Sequence, residues 1–319
     1  MIQKTKGKKT IVEIKNLETN NNGFNNNISM FHRNYFQGRD KFSRPVVLKR
    51  YKGNDNFNKE LNILRSKPIN RYINIPNVYF EDKETNILLM DQVKGITLDE
   101  YFLSNHDDIS IAFSQFGKTL ARIHAIDINT LNDNLTDNLL QEDYFGSYIK
   151  ILRNRVKSIG DSVYMSVLEN IVYAFKTVEF NEVLNHGDYH FLNTIITEEN
   201  KLYILDWEKA FIGDYRYDIA NTLVIGYSWF GTNFKEPMLE AYQNIANKKI
   251  EHLECFEALL SFDSFTKIVP IIQGADDSHI RDRSFEWLLR RYELFVRHNR
   301  TRINKAEEYL FNKGLSINI

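Results

Sequence analysis

Cysteine, proline and glycine are all scarce in this chain of 319 residues, which has one Cys, five Pro and fourteen Gly. A single thiol, Cys255, excludes an internal disulfide framework and a Cys-x-x-Cys metal site, and reads as a small buried hydrophobe. So little Gly and Pro excludes collagen-like and low-complexity chains. Long apolar runs are missing too. The longest, Thr222–Gly226 and Ile268–Ile272, fall far short of the ~18–20 residues of a membrane span. Met1–Lys9 has no apolar segment of the secretory kind, so a cytoplasmic location and no membrane partner are expected. Nor is there an excess of one charge: 41 Lys and Arg face 42 Asp and Glu, which argues against a dedicated nucleic-acid binder. What remains, 43% hydrophobic and 26% charged, is ordinary for a globular protein, and at this length a core usually splits in two.

The first third is strand-like. Thr10–Lys15, Ile28–Phe36 and Pro45–Tyr51 are β-branched or aromatic stretches separated by polar turns, and Asn77–Glu81 and Asn86–Gln92 follow. Asn20–Asn27 reads as a loop, because Asn and Gly accept positive φ. One helix, Phe57–Ser66, lies among these strands, and Pro68 is expected to stop it.

After Val93 the pattern turns helical. Thr97-Leu-Asp-Glu100 has the capping-box spacing. Ile109, Phe113, Phe116, Leu120 and Ile123 recur every three or four residues and make one apolar face. Further helices are predicted at Leu139–Lys157, Val163–Phe180, Glu236–Asn247, Ile250–Phe262 and Ile280–Asn299. One hairpin interrupts them, with strands Thr194–Thr197 and Leu202–Leu205 flanking the turn Glu198–Lys201. The class is therefore α+β, with a strand-rich part at 1–93 and a larger helical part at 94–319.

Chemistry gathers on either side of that hairpin. Asp188 precedes Asn193 by five positions, and Asp206 follows the second strand. A hairpin returns its ends to one place, so these three oxygen-bearing side chains are expected to converge. Carboxylate and amide oxygens suit a hard cation such as Mg²⁺, completed by phosphate oxygens and water. Phosphoryl transfer needs such a division: one acid to take up a hydroxyl proton and two groups to hold metal on a nucleotide. A different set overlaps it. His186 and His190 flank Asp188 as His-x-Asp-x-His, which points to a transition metal and a metallohydrolase.

These segments resemble the aminoglycoside phosphotransferase and choline kinase family, the small-molecule kinases of the protein-kinase-like fold. The family's His-Gly-Asp-x-x-x-x-Asn is met by His186, Gly187, Asp188 and Asn193. Its apolar-Asp-Trp-Glu is met by Leu205, Asp206, Trp207 and Glu208, and its trailing Gly-Asp…Asp-apolar-Ala by Gly213, Asp214, Asp218, Ile219 and Ala220. The resemblance implies a two-lobed fold, with an antiparallel five-stranded sheet and one helix ahead of a helical lobe. It implies Asp188 as catalytic base, and Asn193 and Asp206 as ligands of Mg²⁺. His186 and Asp218 would brace the loop. A kinase-like lobe also needs a Lys on its third strand, held by a Glu on the next helix. Lys49 and Glu60 stand there; Lys52 competes for the role but sits where the strand should end. The nucleotide, ATP or GTP, would rest on the connector Leu89–Val93 through Asp91 and Val93, with Asn26 in the phosphate loop. Ala121–Asp127 is similar to the family's long helix before the catalytic region.

Two departures stand out. The phosphate loop has one glycine, Gly23, and Leu192 stands where many family members have Gly. Protein-kinase activity is not expected, since Trp207-Glu208 replaces Phe-Gly, no Ala-Pro-Glu motif follows and the run from Asp206 to Asp218 is short. The metallohydrolase reading leaves Lys49, Glu60 and Asp-Trp-Glu unexplained. A pseudokinase scaffold is the non-enzyme alternative, and the complete set of catalytic groups counts against it. The expected activity is transfer of a phosphoryl group to a hydroxyl of a small molecule, by a monomer or homodimer. Aminoglycosides or another cationic amino-alcohol lead; choline, ethanolamine, thiamine, sugar and homoserine are alternatives. Residues 1–93 hold 17 Lys and Arg against 9 Asp and Glu, and the remainder 24 against 33. A basic nucleotide lobe and an acidic helical lobe suit ATP and a cationic acceptor. Glu236, Glu240, Glu251, Glu254, Asp263, Asp276, Asp277 and Glu286 are the acids available for it.

Overall fold

The computed structural model describes residues 15–19, 35–39, 45–104, 109–140, 143–231, 234–273 and 282–317. Asn26, Asp276 and Asp277 lie outside the described residues. Strands β1 (Lys15–Thr19), β2 (Tyr35–Arg39), β3 (Pro45–Arg50), β4 (Val78–Asp82) and β5 (Ile87–Asp91) form one antiparallel sheet, ordered β1-β2-β3-β5-β4. Strand β1 begins where the expected Thr10–Lys15 ends, and β2 shares only Tyr35 and Phe36 with the expected Ile28–Phe36. The remainder of both spans lies outside the described residues. Val46 and Leu48 of β3 pack with Ile87, Leu89 and Phe80 on one face of the sheet. Alternation puts Lys49 on the other.

The expectation of a single early helix needs correction. Two lie between β3 and β4, α1 (Asn54–Leu64) and α2 (Lys67–Tyr72). Pro68 does more than stop the first. It sits in the opening turn of the second, where a missing N–H costs nothing, and the Ser66 side chain accepts the Ile69 N–H there.

By compactness the chain divides into two units that interleave: Met1–Ser104 with Ile128–Leu139 and Leu192–Ala210, and Asn105–Asp127 with Leu140–Phe191 and Phe211–Ile319. The boundary expected at residue 93 differs from this division, because the predicted hairpin rejoins the strand-rich unit. There β6 (Ile96–Thr97) pairs with β8 (Thr194–Ile196), and β8 with β9 (Leu202–Ile204). The capping box opens α3 (Leu98–Ser104): Glu100 N–H donates to Thr97 Oγ1 at 3.2 Å, and Thr97 N–H to Glu100 Oε2 at 2.8 Å. Helix α5 (Asp133–Leu139) belongs to the same unit.

The other unit is mainly helical: α4 (Ile109–His124), α6 (Tyr144–Ile159), α7 (Ser162–Ala174), α8 (Arg216–Phe230), α9 (Lys235–Ala246), α10 (Leu253–Thr266), α11 (Val269–Ile272), α12 (Asp282–Asn299) and α13 (Asn304–Asn312). Strands β7 (Glu182–Asn185) and β10 (Phe211–Asp214) form an antiparallel pair within it. The helix expected over Leu139–Lys157 starts later, at Tyr144, where Asp143 caps it by accepting the Gly146 N–H at 2.9 Å; Leu139 instead ends α5. Helices α4 and α9 approach closely at Gly117, where a Cβ would stand 2.3 Å from the Met238 carbonyl oxygen. Among the described residues, no helix is long and apolar enough to cross a membrane.

Candidate active site

In the strand-rich unit, β3 and α1 bring Lys49 and Glu60 together. Helix α1 turns Phe57, Glu60, Leu61 and Leu64 inward on the usual three-and-four spacing, so Glu60 arrives buried among apolar neighbours. Lys49 Nζ donates to Glu60 Oε2 at 2.5 Å, and Tyr51 OH donates to the same oxygen at 2.7 Å. Lys49 and Glu60 are 3% and 2% exposed, so this pair is screened little by water. Lys49 also donates to Asp206 Oδ1 at 2.6 Å. One ammonium thus bridges two carboxylates that came from sequence positions 60 and 206. Burial pushes the Glu60 carboxyl above its ordinary range, against the pull of Lys49 and with a further push from Asp206. Lys52, the competing lysine, is exposed.

The hairpin of β8 and β9 sets Asn193 and Asp206 at its two ends. Leu205 N–H donates to the Asn193 carbonyl at 2.9 Å, which ties the two positions by backbone. Asp206 itself has φ +64°, a left-handed turn that aims the chain into the short helical turn at 207–209. Trp207, fully buried, anchors that turn and donates Nε1–H to the Ile204 carbonyl at 3.3 Å. Glu208 is half-buried and accepts from Asn56 Nδ2 at 3.3 Å, and burial pushes its carboxyl up. Beside it, burial pulls the Lys59 ammonium down, opposed by Asp55 and Glu208. At the end of β5, the Asp91 carboxylate accepts Asn77 N–H at 3.0 Å, Asn77 Nδ2 at 2.6 Å and the Tyr79 hydroxyl. Its side chain therefore braces the edge of the sheet. Val93 follows in the half-exposed connector.

Asp188 belongs to the helical unit, on the loop that leaves β7. Asp218, in the first turn of α8, is fully buried and holds this loop: it accepts His186 N–H at 2.6 Å and Gly187 N–H at 2.9 Å. Gly187 takes φ +79°, which glycine adopts without strain. The buried His186 ring accepts Asp188 N–H on Nδ1 at 3.2 Å, a structural role. Further along, the Tyr189 ring stacks on Phe116 at 4.2 Å and donates its hydroxyl to the Phe116 carbonyl, while Thr222 donates to the Tyr189 carbonyl at 2.7 Å. Phe191 then packs against Phe116, Phe113 and Phe234. Between these anchors the Asp188 carboxylate is left part-exposed, with His190 Nε2 3.7 Å away. Asp214 has a separate task, gripping the Arg216 guanidinium through two oxygens at 2.7 and 2.8 Å.

Sequence reasoning misses His124, although Ala121–Asp127 contains it. Its Nε2 stands 3.5 Å from Asp218 Oδ2, and its Nδ1 is 2.8 Å from Tyr242 OH. Tyr51 is missed as well; its place two residues after Lys49, on the same strand face, is the available signal. The transition-metal reading gains nothing, because among the described residues no group of three His, Cys, Asp or Glu is placed to hold a metal ion. Asn193 and Asp206, as amide and carboxylate oxygens tied together, keep the donor chemistry that Mg²⁺ prefers.

Several acids marked for an acceptor are already engaged. Buried Asp263 accepts from Arg155 at 2.5 Å and Lys267 at 2.6 Å; burial works to raise it, but these cations hold it below the usual range. Glu286 accepts from Arg290 at 3.0 Å. Glu254 has His252 3.7 Å away. Glu236, Glu240 and Glu251 are exposed. A cavity of about 120 Å³ in this unit is lined by Tyr227, Phe234, Lys235, Glu257, Arg297 and His298, and within it Lys235 and Glu257 neutralise each other.

The profile of the phosphotransferase enzyme family matches residues 31–254. Among solved structures, the chain is similar to the choline kinase LicA of Streptococcus pneumoniae, at 17% identity and a TM-score of 0.58, covering 84% of this chain and 91% of that one. An aminoglycoside 2'-phosphotransferase mutant, solved as its GDP complex, matches at 15% identity and a TM-score of 0.59, over 90% and 92%. Spectinomycin phosphotransferase, solved with ADP and spectinomycin, matches at 14% identity and a TM-score of 0.55, over 89% and 91%. At such identities the likeness shows the fold. No curated protein matches the chain in sequence.

Proposed function

The chain belongs to the phosphotransferase enzyme family and is a small-molecule phosphotransferase; from that premise we propose an ATP- or GTP- and Mg²⁺-dependent transfer of phosphate to a hydroxyl of a cationic amino-alcohol. One observation carries the reading: a buried lysine held between Glu60 and Asp206, in a chain that also presents Asp188 on a loop clamped by its backbone. Nucleotides in the ADP and GDP complexes of similar folds support a purine nucleotide.

Asp188 would accept the proton of the acceptor hydroxyl as the phosphorus–oxygen bond forms. Lys49, oriented by Glu60, would offset charge on the nucleotide phosphates. Asn193 and Asp206 would hold Mg²⁺, which supplies further positive charge to the transferring phosphoryl group. Asp91 and Val93 would border the base, and Asn26 the phosphates. Catalysis by such a set is mostly positioning and electrostatics.

For the acceptor, the acid excess after residue 93 supports a cation. With Asp263 and Glu286 already paired, an amino-alcohol of single charge, choline-like, is favoured over a polycationic aminoglycoside. An ATP-consumption screen over choline, ethanolamine, aminoglycosides, thiamine, sugars and amino-acid alcohols tests this. Turnover of a neutral sugar alone overturns the acceptor class. Nucleotide-dependent stabilisation with no turnover of any compound would favour the pseudokinase scaffold.

A further inference from the structure

The Asp218 carboxylate has no proton to give once ionised, and burial of that charge is tolerable only if hydrogen bonds replace water around it. Two donors are backbone N–H groups of the Asp188 loop, His186 on Oδ2 at 2.6 Å and Gly187 on Oδ1 at 2.9 Å. The third is His124, whose Nε2 lies 3.5 Å from Oδ2. For that nitrogen to donate, the imidazole must carry its proton on Nε2 and leave Nδ1 as an acceptor, since the two nitrogens of a neutral ring take opposite roles. With a carboxylate facing Nε2, Nδ1 then needs a donor. It is the hydroxyl of Tyr242, 2.8 Å away, reaching across from α9.

Tyr242 is well suited to donate. It is 3% exposed, and burial, with Tyr215, Asp218 and Asp214 nearby, pushes its phenol far above the ordinary tyrosine range, so it keeps its proton. Its ring is held edge-on to His124 at 5.6 Å and stacked with Tyr215 at 6.3 Å. The close approach of α4 and α9 at Gly117 brings the two helices within reach of one another.

We infer that Tyr242 is a positioning residue for the catalytic loop: by donating to His124 it fixes the tautomer that lets His124 donate to Asp218, and so steadies the backbone that carries Asp188. Without the hydroxyl, Nδ1 is left a buried acceptor with no donor, and the ring loses the contact that holds Nε2 toward Asp218. The loop would then lose part of its anchor. The turnover part of the test rests on the phosphotransferase reading; the structural part does not.

Tyr242→Phe keeps the ring packing and removes the donor. Its expected effect is a kcat lower by about tenfold, with KM for nucleotide and acceptor within about twofold, the split that a loss confined to the reacting geometry produces. Amide exchange at His186 and Gly187 should quicken while amides of α10 and α12 keep wild-type rates. His124→Gln supplies a rescue: its amide nitrogen, near the position of Nε2, donates to Asp218 without any tautomer to control. Tyr242→Phe added to His124→Gln should therefore cost nothing further, the non-additivity expected when one residue acts through another. Unchanged kcat and exchange in Tyr242→Phe overturn the inference, and so do additive losses in the double variant. Nitrogen NMR of the wild-type His124 ring decides independently of any variant: a proton on Nε2 is expected, and one on Nδ1 refutes it. If the wild type consumes no ATP with any acceptor, the phosphotransferase activity falls, and the exchange and NMR results still judge Tyr242.

Discussion

Replacing Glu60 with Gln separates the stability of the Lys49 cluster from its use. The amide has the shape of the carboxylate, and its oxygen remains available to both donors that now reach Glu60 Oε2, Lys49 at 2.5 Å and Tyr51 at 2.7 Å. What disappears is the charge. A hydrogen bond to a charged group contributes ~1.5–3 kcal/mol against ~1 kcal/mol for a neutral one, so the substitution forfeits roughly 1–2 kcal/mol. Against this stands the cost of keeping a carboxylate where burial has pushed its pKa upward, at ~1.4 kcal/mol for each tenfold rise in proton affinity. The two effects oppose, and Lys49 is not stranded, because Asp206 still accepts from it at 2.6 Å. The expected net change at pH 7 is within about 1.5 kcal/mol, well short of the ~3–5 kcal/mol for orphaning a buried charge.

The sign with pH follows from the same raised pKa. Folded protein keeps the Glu60 proton over a range where unfolded protein has lost it. Stability from this group is complete below the ordinary value of 4.5 and declines as pH rises through the raised one. The Gln variant lacks that decline, so its stability relative to wild type should improve as pH rises. Urea unfolding of both chains from pH 4 to 8 measures it. Turnover should nonetheless fall by about 10- to 100-fold in kcat/KM, since a neutral amide oxygen orients the Lys49 ammonium less firmly than the carboxylate does. A loss of about 3 kcal/mol or more at pH 7, the range of an orphaned buried charge, refutes the reasoning. So does a relative stability that worsens with rising pH. Undiminished turnover refutes the assignment of Glu60.

Asp188→Ala is expected to retain nucleotide-dependent thermal stabilisation and to lose transfer by about a thousandfold or more, as removal of a general base and orienting group does; single-turnover assays check it. Gly187→Ala forces a side chain into φ +79° and should cost about 1–2 kcal/mol in urea unfolding, with faster amide exchange at His186. Gly117→Ala inserts a Cβ 2.3 Å from the Met238 carbonyl, so α4 and α9 must part; a loss of about 1–3 kcal/mol is expected, and an unchanged midpoint would show that the contact is soft. Removing divalent ions with EDTA should abolish turnover and Mg²⁺ restore it, whereas restoration by Zn²⁺ alone would revive the metallohydrolase reading.

The parts of the site legible in the sequence are those whose chemistry is local. His186 through Asn193 is one short run of sequence, Asn193 and Asp206 end one hairpin, and Glu60 lies eleven positions from Lys49 on the next element. Residue type and spacing suffice there. They fail where burial erases periodicity. Helix α8 buries Ile219, Ala220, Thr222, Leu223, Val224, Gly226 and Ser228, and its more open strip carries Tyr217, Asn221, Ile225 and Trp229, so it shows no charged stripe and reads in sequence as a short apolar run. They also fail for partners that only folding introduces. Tyr242 meets His124 across 118 positions, and Asp263 meets Arg155 across 108.

That second failure changes what the charge asymmetry means. Summed along the chain, the acids after residue 93 look like a field waiting for a cation. In the fold, Asp263 answers Arg155 and Lys267, Glu257 answers Lys235, Asp214 answers Arg216, and Glu307 answers Arg302. The first three of these acids are buried, where an unpaired carboxylate would cost several kcal/mol, so their partners were required by stability whatever the substrate. A net count cannot distinguish such acids from those at the surface, and only the latter remain to attract a ligand. Among the described residues, Glu236, Glu240 and Glu251, exposed on α9 or in the turn after it, are three such surface acids. Charge-reversing all three should lower the association rate of a cationic acceptor several-fold at low salt, with the difference vanishing near ~0.5 M as screening shortens to a few ångströms. An effect that persists at high salt would mean that these side chains touch the acceptor directly.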